Sequence, residues 1–214
     1  MKREEKRMTK KLHNTGFIIA KNVLKPIFCF WYRPKTINKE VIPKKGPIII
    51  CCNHKHLFDQ NLIILSTRRP IHYMAKIEYW QSWKTRWFFN FSGCIPVNRS
   101  IHDENAKDMA LEVLRNGGAI GIFPEGTRNK TKEFLLPFKF GAVSMAQKTG
   151  ATIVPAGIYG DYKFRTKNLV VRFGEPFKVD GMSLEEANNK LRDEVGKLIR
   201  KSEMEARKKK RNIK

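Results

Sequence analysis

The sequence predicts an α/β domain: a mostly parallel central sheet flanked by helices, preceded by an N-terminal amphipathic helical segment at a membrane interface. Three observations carry this expectation. From residue 47 onward, short apolar runs alternate with stretches of helical spacing, as in repeated strand–helix units. Boundary signals separate them: Asn116-Gly117-Gly118 stops one helix, and Ser183 before Leu184-Glu185-Glu186 opens another with a capping box. The chain's 214 residues, 41% of them hydrophobic, suffice for one domain with a substantial core.

Taken in order, residues Met1 to Lys11 are charged. From Leu12 to Tyr32 the chain turns apolar and aromatic (Phe17, Ile18, Ile19, Val23, Leu24, Ile27, Phe28, Phe30, Trp31), with Lys21 and Lys25 among them. Bulky apolar residues between lysines describe an interfacial helix pair bent at Pro26; the alternative is a helix packed on the domain with its lysines solvated. Residues 1–34 therefore read as a membrane-association segment and residues 35–214 as the domain proper. Residues Pro34 to Lys45 read as a connector. The expected strands are Ile48–Cys52, His72–Ala75, Cys94–Val97, Ala119–Phe123, Thr152–Ile158 and Leu169–Phe173. The expected helices are Phe58–Ser66, Trp80–Phe91, Asp103–Asn116, Phe138–Gln147 and a long one from Leu184.

Composition narrows the partners. A formal net charge of +23 favours anionic ones: nucleic acid, an anionic bilayer or phosphorylated substrates. The run Arg207 to Arg211 could grip nucleic acid or lipid headgroups, or be a solvated helix end. The apolar stretch near the N-terminus is broken by Lys21, Lys25 and Pro26 and lacks a cleavage site, so it does not read as a secretory signal. No uninterrupted apolar run reaches the roughly 18 residues that span a bilayer. Cys29, Cys51, Cys52 and Cys94 form no paired C-x-x-C and read as reduced, mostly buried thiols. The sharper alternative is a thiol nucleophile beside His54.

Chemistry concentrates at strand ends. His54 and Asp59 sit where the strand Ile48–Cys52 gives way to a helix. Five residues apart on one helix they would diverge by about 140°. To meet, His54 must lie in the turn and Asp59 near the helix start, so that the carboxylate holds one imidazole nitrogen and leaves the other as a base. Gly93-Cys94-Ile95-Pro96-Val97-Asn98-Arg99 ends in an arginine just past the third strand. Phe123-Pro124-Glu125-Gly126-Thr127-Arg128 follows the fourth, and Val154-Pro155-Ala156-Gly157 closes a fifth. Two arginines at neighbouring strand ends suit bidentate capture of a phosphate. Glu125 can order an arginine or accept from a substrate hydroxyl.

With these four blocks in this order, the chain resembles the glycerolipid acyltransferases, most closely the lysophosphatidic acid acyltransferases (1-acyl-sn-glycerol-3-phosphate acyltransferases). The resemblance covers roughly residues 35 to 180. Phe138-Lys139-Phe140-Gly141-Ala142 looks like the family's lysine-glycine segment, and Ala75-Lys76-Ile77-Glu78 like its lead into the second block. One departure is His56, where the family often has Ser or Thr. His-x-His near an Asp also admits a metal reading, but such sites need further histidines, and none of His13, His72 and His102 lies in a comparable motif; no metal is expected.

The resemblance implies transfer of a fatty acyl group from an acyl thioester, on coenzyme A or acyl carrier protein, to the free hydroxyl of lysophosphatidic acid, giving phosphatidic acid. It implies no other cofactor. In this reading His54 is the general base, Asp59 fixes its tautomer, and Arg99 and Arg128, with Glu125, Gly126 and Thr127, hold the glycerol phosphate. Backbone N–H groups or Lys76 would meet the oxyanion. Expected partners are the lysophospholipid, the thioester donor and an anionic membrane surface, with the protein peripheral on the cytoplasmic face of the cell membrane and no nucleic acid bound. Glycerol 3-phosphate or another lysolipid is the alternative acceptor, and a non-catalytic basic protein on nucleic acid or membrane the alternative class.

Overall fold

The structure, a computed structural model, describes residues 17–19, 21–98, 100–101 and 103–212. Residues 17–19 and 21–32 are helical (α1). Then follow β1 (Lys35–Ile37), a 3-10 turn (Lys39–Val41), β2 (Ile48–Cys52), α2 (Asp59–Ser66), β3 (His72–Lys76), α3 (Glu78–Gln81), α4 (Trp83–Ser92), β4 (Ile95–Val97), α5 (Glu104–Arg115), β5 (Ala119–Ile122), α6 (Gly141–Thr149), β6 (Thr152–Tyr159), β7 (Val170–Phe173) and α7 (Leu184–Arg211).

These strands form one sheet in the order β1-β7-β6-β2-β5-β3-β4. Every neighbouring pair is parallel except β6 and β7. That exception follows from its connection: the loop after Tyr159 returns directly, whereas a parallel partner needs a crossover. The mostly parallel sheet expected from the alternation is therefore the one observed.

β2 is the centre because nothing in Ile48-Ile49-Ile50-Cys51-Cys52 is polar, so the strand tolerates burial on both faces. Successive side chains point to opposite faces. Ile49 and Cys51 join Leu111, Leu114, Val143, Leu191 and Val195 beneath α5, α6 and α7. Ile48, Ile50 and Cys52 join Leu62 and Ile63 of α2 and Phe28 of α1. Each fully buried isoleucine contributes about 1.5–3 kcal/mol. The thiols of Cys51 and Cys52 are part of this packing, and burial pushes both well above their ordinary proton affinity, which removes the thiolate a nucleophile needs.

Several expectations are corrected. The connector from Pro34 to Lys45 contains β1, which pairs with β7 through Lys35 and Val170; three residues are too few to show a period in sequence. The helix expected over Trp80–Phe91 is two, because Ser82 adopts an extended conformation between α3 and α4. The helix expected from Phe138 starts at Gly141. Near the N-terminus the helix continues through Pro26, so residues 21–32 form one helix and not two. Proline removes one i→i−4 bond, and the neighbouring turns sustain the rest. The stop at Asn116-Gly117 and the Ser183–Glu186 capping box form as expected.

α1 packs on the domain through part of its surface. Phe17 and Phe28 are buried against the domain, while Ile18, Ile19, Val23, Ile27, Phe30 and Trp31 are exposed. No helix among the described residues is long and apolar enough to cross a membrane.

Candidate active site

Parallel strands deliver their carboxyl ends to one edge of the sheet, and the loops there carry the motifs. β2 leads into Asn53-His54, β3 ends at Lys76, β5 leads into Phe123 to Arg128, and β6 leads toward Tyr162. Asn53 ties two of these loops, donating to the carbonyl of Ile158 and accepting from its N–H.

Asp59 opens α2, where a carboxylate is favoured by the helix dipole and can turn back on the loop before it. It is fully buried. Its Oδ2 accepts from the N–H of Lys55 at 2.6 Å and of His56 at 2.7 Å, and meets His54 Nδ1 at 2.8 Å. Its Oδ1 accepts from the Tyr162 hydroxyl at 2.6 Å. An ionised carboxylate only accepts, so His54 donates from Nδ1 and keeps Nε2 bare. The imidazole stacks on Phe123, with ring centroids 4.0 Å apart and planes 12° from parallel. The pair therefore meets in the geometry required of it: histidine in the turn, aspartate at the helix start.

Glu125 clamps the same loop from the other side. It is buried, and its Oε1 accepts from the His54 N–H at 2.7 Å while Oε2 accepts from the Leu136 N–H at 3.0 Å. Burial pushes its carboxyl up, against the downward pull of the two N–H donors. Its oxygens thus both accept from backbone N–H groups, and among the described residues no arginine is hydrogen-bonded to them. The Glu-Gly-Thr-Arg turn is joined to the histidine loop again where Asn129 N–H donates to the His54 carbonyl at 2.7 Å.

A cavity of about 650 Å³ opens beside His54. Its apolar wall includes Phe28, Leu57, Ile64, Ile71, Met74 and Phe88; its cationic side chains are Lys21, Lys76, Arg128 and Lys139. Gly121 matters for its floor: a Cβ there would lie 2.2 Å from the Tyr73 ring, which instead crosses β5 toward Phe123. Gly126, at φ +72°, turns the chain so that the Lys139 stem passes over it. Arg128 and Thr127 are exposed on that turn. Lys76 is half-exposed, with Glu78 at 4.0 Å. Arg99 lies outside the described residues; Asn98, just before it, lines the cavity.

His56 is occupied within the loop. Its ring stacks on Tyr162 at 4.1 Å, and its Nδ1 accepts from the Phe58 N–H at 3.3 Å. Burial lowers its proton affinity, with the Asp59 charge opposing and Arg128, Lys55 and His54 adding. Among the described residues, no three His, Cys, Asp or Glu side chains converge as a metal site would require.

Two residues here escaped the sequence reading. Lys139 carried a signal, the lysine-glycine segment, but nothing tied it to the Gly126 turn. Tyr162 carried none, because it lies 103 residues from Asp59 in no motif.

The arrangement offers an imidazole fixed at one nitrogen, set between an apolar chamber and a cationic lip. It can deprotonate a hydroxyl on a molecule that is apolar at one end and anionic at the other.

The chain is similar to known acyltransferases. The acyltransferase family model matches residues 33–159. A 1-acyl-sn-glycerol-3-phosphate acyltransferase of Borreliella burgdorferi is 37% identical over 137 residues, covering 63% of this chain but only 54% of its own length, so the chain spans about half of that relative. One of Bacillus subtilis is 32% identical over 163 residues, covering 72% of this chain and 79% of that protein. The crystal structure of the 1-acyl-sn-glycerophosphate (LPA) acyltransferase PlsC from Thermotoga maritima superposes with a TM-score of 0.68 at 26% identity, covering 94% of this chain and 82% of the other.

Proposed function

The chain belongs to the acyltransferase family, and from that premise we propose that it transfers a fatty acyl group from an acyl thioester to the free hydroxyl of lysophosphatidic acid, giving phosphatidic acid. One observation carries the chemistry: His54 Nδ1 lies 2.8 Å from the buried Asp59 carboxylate, on the wall of a cavity that is apolar on one side and cationic on the other. Two named relatives and the Thermotoga structure support the substrate pair.

In this reading the acceptor hydroxyl gives its proton to Nε2 of His54 as its oxygen attacks the thioester carbonyl. Asp59 stabilises the imidazolium that forms. The tetrahedral oxyanion is met by nearby donors, Lys76 or backbone N–H groups. Its collapse expels the thiolate, which takes the proton back from His54, leaving an ester and a free thiol. Arg128, with Lys139 and Arg99, holds the phosphate, and the Gly126-Thr127 turn aims Arg128. Glu125 shapes the turn from beneath. The donor carries coenzyme A or acyl carrier protein, and no other cofactor is needed.

The same reading makes the protein peripheral on an anionic membrane surface, at the cytoplasmic face, with residues 1–34 as the association segment and residues 35–214 as the acyltransferase domain. The exposed apolar side chains of α1 support it, as do Trp83 and Trp87 of α4, 80% and 68% exposed, and the charge of +23. Co-sedimentation with anionic vesicles that is lost with neutral ones tests it.

The deciding experiment measures thiol release from both donor types, with and without lysophosphatidic acid, in wild type and His54→Ala. Release that needs both acceptor and His54, with phosphatidic acid as product, supports the proposal. Release only with glycerol 3-phosphate or another lysolipid changes the acceptor, and undiminished activity of folded His54→Ala removes His54 from the mechanism.

A further inference from the structure

We infer that Tyr162 is a positioning residue for this transfer: its hydroxyl, 2.6 Å from Oδ1 of Asp59, keeps the buried carboxylate ionised and aligned on His54. The inference rests on the proposed role of His54 as base. It concerns a residue outside the 33–159 stretch that matches the family.

The asymmetry of the donors carries it. Among the described residues, three donors converge on Oδ2, from Lys55, His56 and His54, and Tyr162 is the one donor to Oδ1. Asp59 is fully buried, so without that hydroxyl one carboxylate oxygen is left without a donor. The groups beside Asp59 do not replace it: the His54 imidazole meets Oδ2, and the contact of His56 is its backbone N–H, also to Oδ2. An orphaned carboxylate either takes a proton or draws harder on the His54 Nδ1–H, favouring imidazolium. Both outcomes raise the proton affinity of the pair, and both deplete the neutral base.

Tyr162 is built to stay in place and to stay a donor. Its ring stacks on His56 at 4.1 Å and meets Tyr32 of α1 edge-on at 5.5 Å. Burial, then the charge and hydrogen bond of Asp59, push its phenol far above the ordinary range, so the proton remains through any assay pH.

Tyr162→Phe removes the hydroxyl and keeps the ring contacts. The acid limb of the kcat/KM profile is expected to move up by about one pH unit, the scale of one lost hydrogen bond to a charge. The rate near neutrality falls several-fold, the deficit closes by about pH 9, and the acceptor KM stays unchanged. A profile superimposable on wild type overturns the inference. So does an equal loss at every pH, which would mean a purely structural role. Difluorotyrosine at position 162, a stronger donor with the same contacts, shifts the limb the other way and serves if the phenylalanine variant fails to fold. Ring-nitrogen NMR of His54 across the same pH range reads the effect without turnover: the change to the imidazolium pattern must occur at higher pH in Tyr162→Phe. If wild type transfers no acyl group, the function proposal falls while this titration still decides on Tyr162. If wild type and His54→Ala behave as proposed but Tyr162→Phe matches wild type in both readouts, only this inference falls.

Discussion

Glu125→Gln separates two roles that sequence leaves open for this residue, substrate contact and loop clamp. Both carboxylate oxygens accept backbone N–H groups, from His54 at 2.7 Å and Leu136 at 3.0 Å, in a residue only 3% exposed. Glutamine has the same shape but one acceptor. Whichever way it is placed, one N–H then faces an amide NH₂ and loses its partner. A hydrogen bond to a charged group is worth about 1.5–3 kcal/mol. Against this, the neutral side chain no longer carries the cost of a buried charge, a cost visible in the raised proton affinity of Glu125. The net loss is about 1–2 kcal/mol. For a chain of this size each kcal/mol lowers Tm by roughly 2–4 °C, so a fall of about 2–8 °C is expected.

Thermal unfolding followed by circular dichroism measures that fall, and steady-state kinetics with varied acceptor accompany it. Because one of the two N–H groups belongs to His54 and the other ties its loop to Leu136, loosening the clamp predicts a lower kcat with acceptor KM nearly constant, as misplacement of the proposed base demands. An unchanged Tm with a raised acceptor KM would refute the reasoning and return Glu125 to the substrate.

Arg128→Ala is expected to raise the acceptor KM roughly tenfold with little change in kcat, since the arginine is exposed at the cationic lip and binds the ground state; an unchanged KM counts against phosphate binding there. Gly126→Ala forces a Cβ into the left-handed region at φ +72°, 2.8 Å from the Lys139 Cε. The conformational strain costs about 1–2 kcal/mol, while the lysine end moves aside, so Tm should fall modestly and acceptor KM should rise as the ammonium is displaced. His56→Ser probes a pH effect. The folded ring resists protonation because it is buried, whereas the unfolded one titrates near its ordinary 6.5. The unfolded state thus binds more protons below about pH 6.5, and that part of the stability is lost as pH falls through the window. Tm measured from pH 5 to 7 should have a shallower slope in His56→Ser, and an equal slope refutes the assignment.

Sequence revealed the site where a single segment carried both the strand and the chemistry. Ile48 to Cys52 is apolar without interruption, and His54 and Asp59 follow it closely, so the twelve residues from Ile48 to Asp59 held the central strand, the histidine and the carboxylate that holds it. β1 was illegible because an edge strand of three residues has no period and gains its pairing only when β7 lies beside it. The break at Ser82 was illegible because serine is common both inside helices and at their starts, and its extended conformation is decided by packing. Tyr162 was illegible for a different reason. Its role is a contact across the sheet edge, between a loop after β6 and the start of α2, and no local pattern records such a contact.

Glu125 marks the boundary between these cases. The motif named the residue but not the direction of its oxygens, and the direction decides its role. Viewed together, Asp59 and Glu125 do one job from two sides: between them they accept the backbone N–H groups of three consecutive residues, His54, Lys55 and His56. Three N–H groups in a row that point into the protein would be costly without acceptors. Two buried carboxylates supply them, and the loop's shape then has no alternative partner to rearrange toward. The histidine block and the Glu-Gly-Thr-Arg block, 71 residues apart at His54 and Glu125, are held together in this way. Each carboxylate needs the loop's donors to be tolerated inside the protein, and the loop needs both carboxylates to present Nε2 of His54 to the cavity.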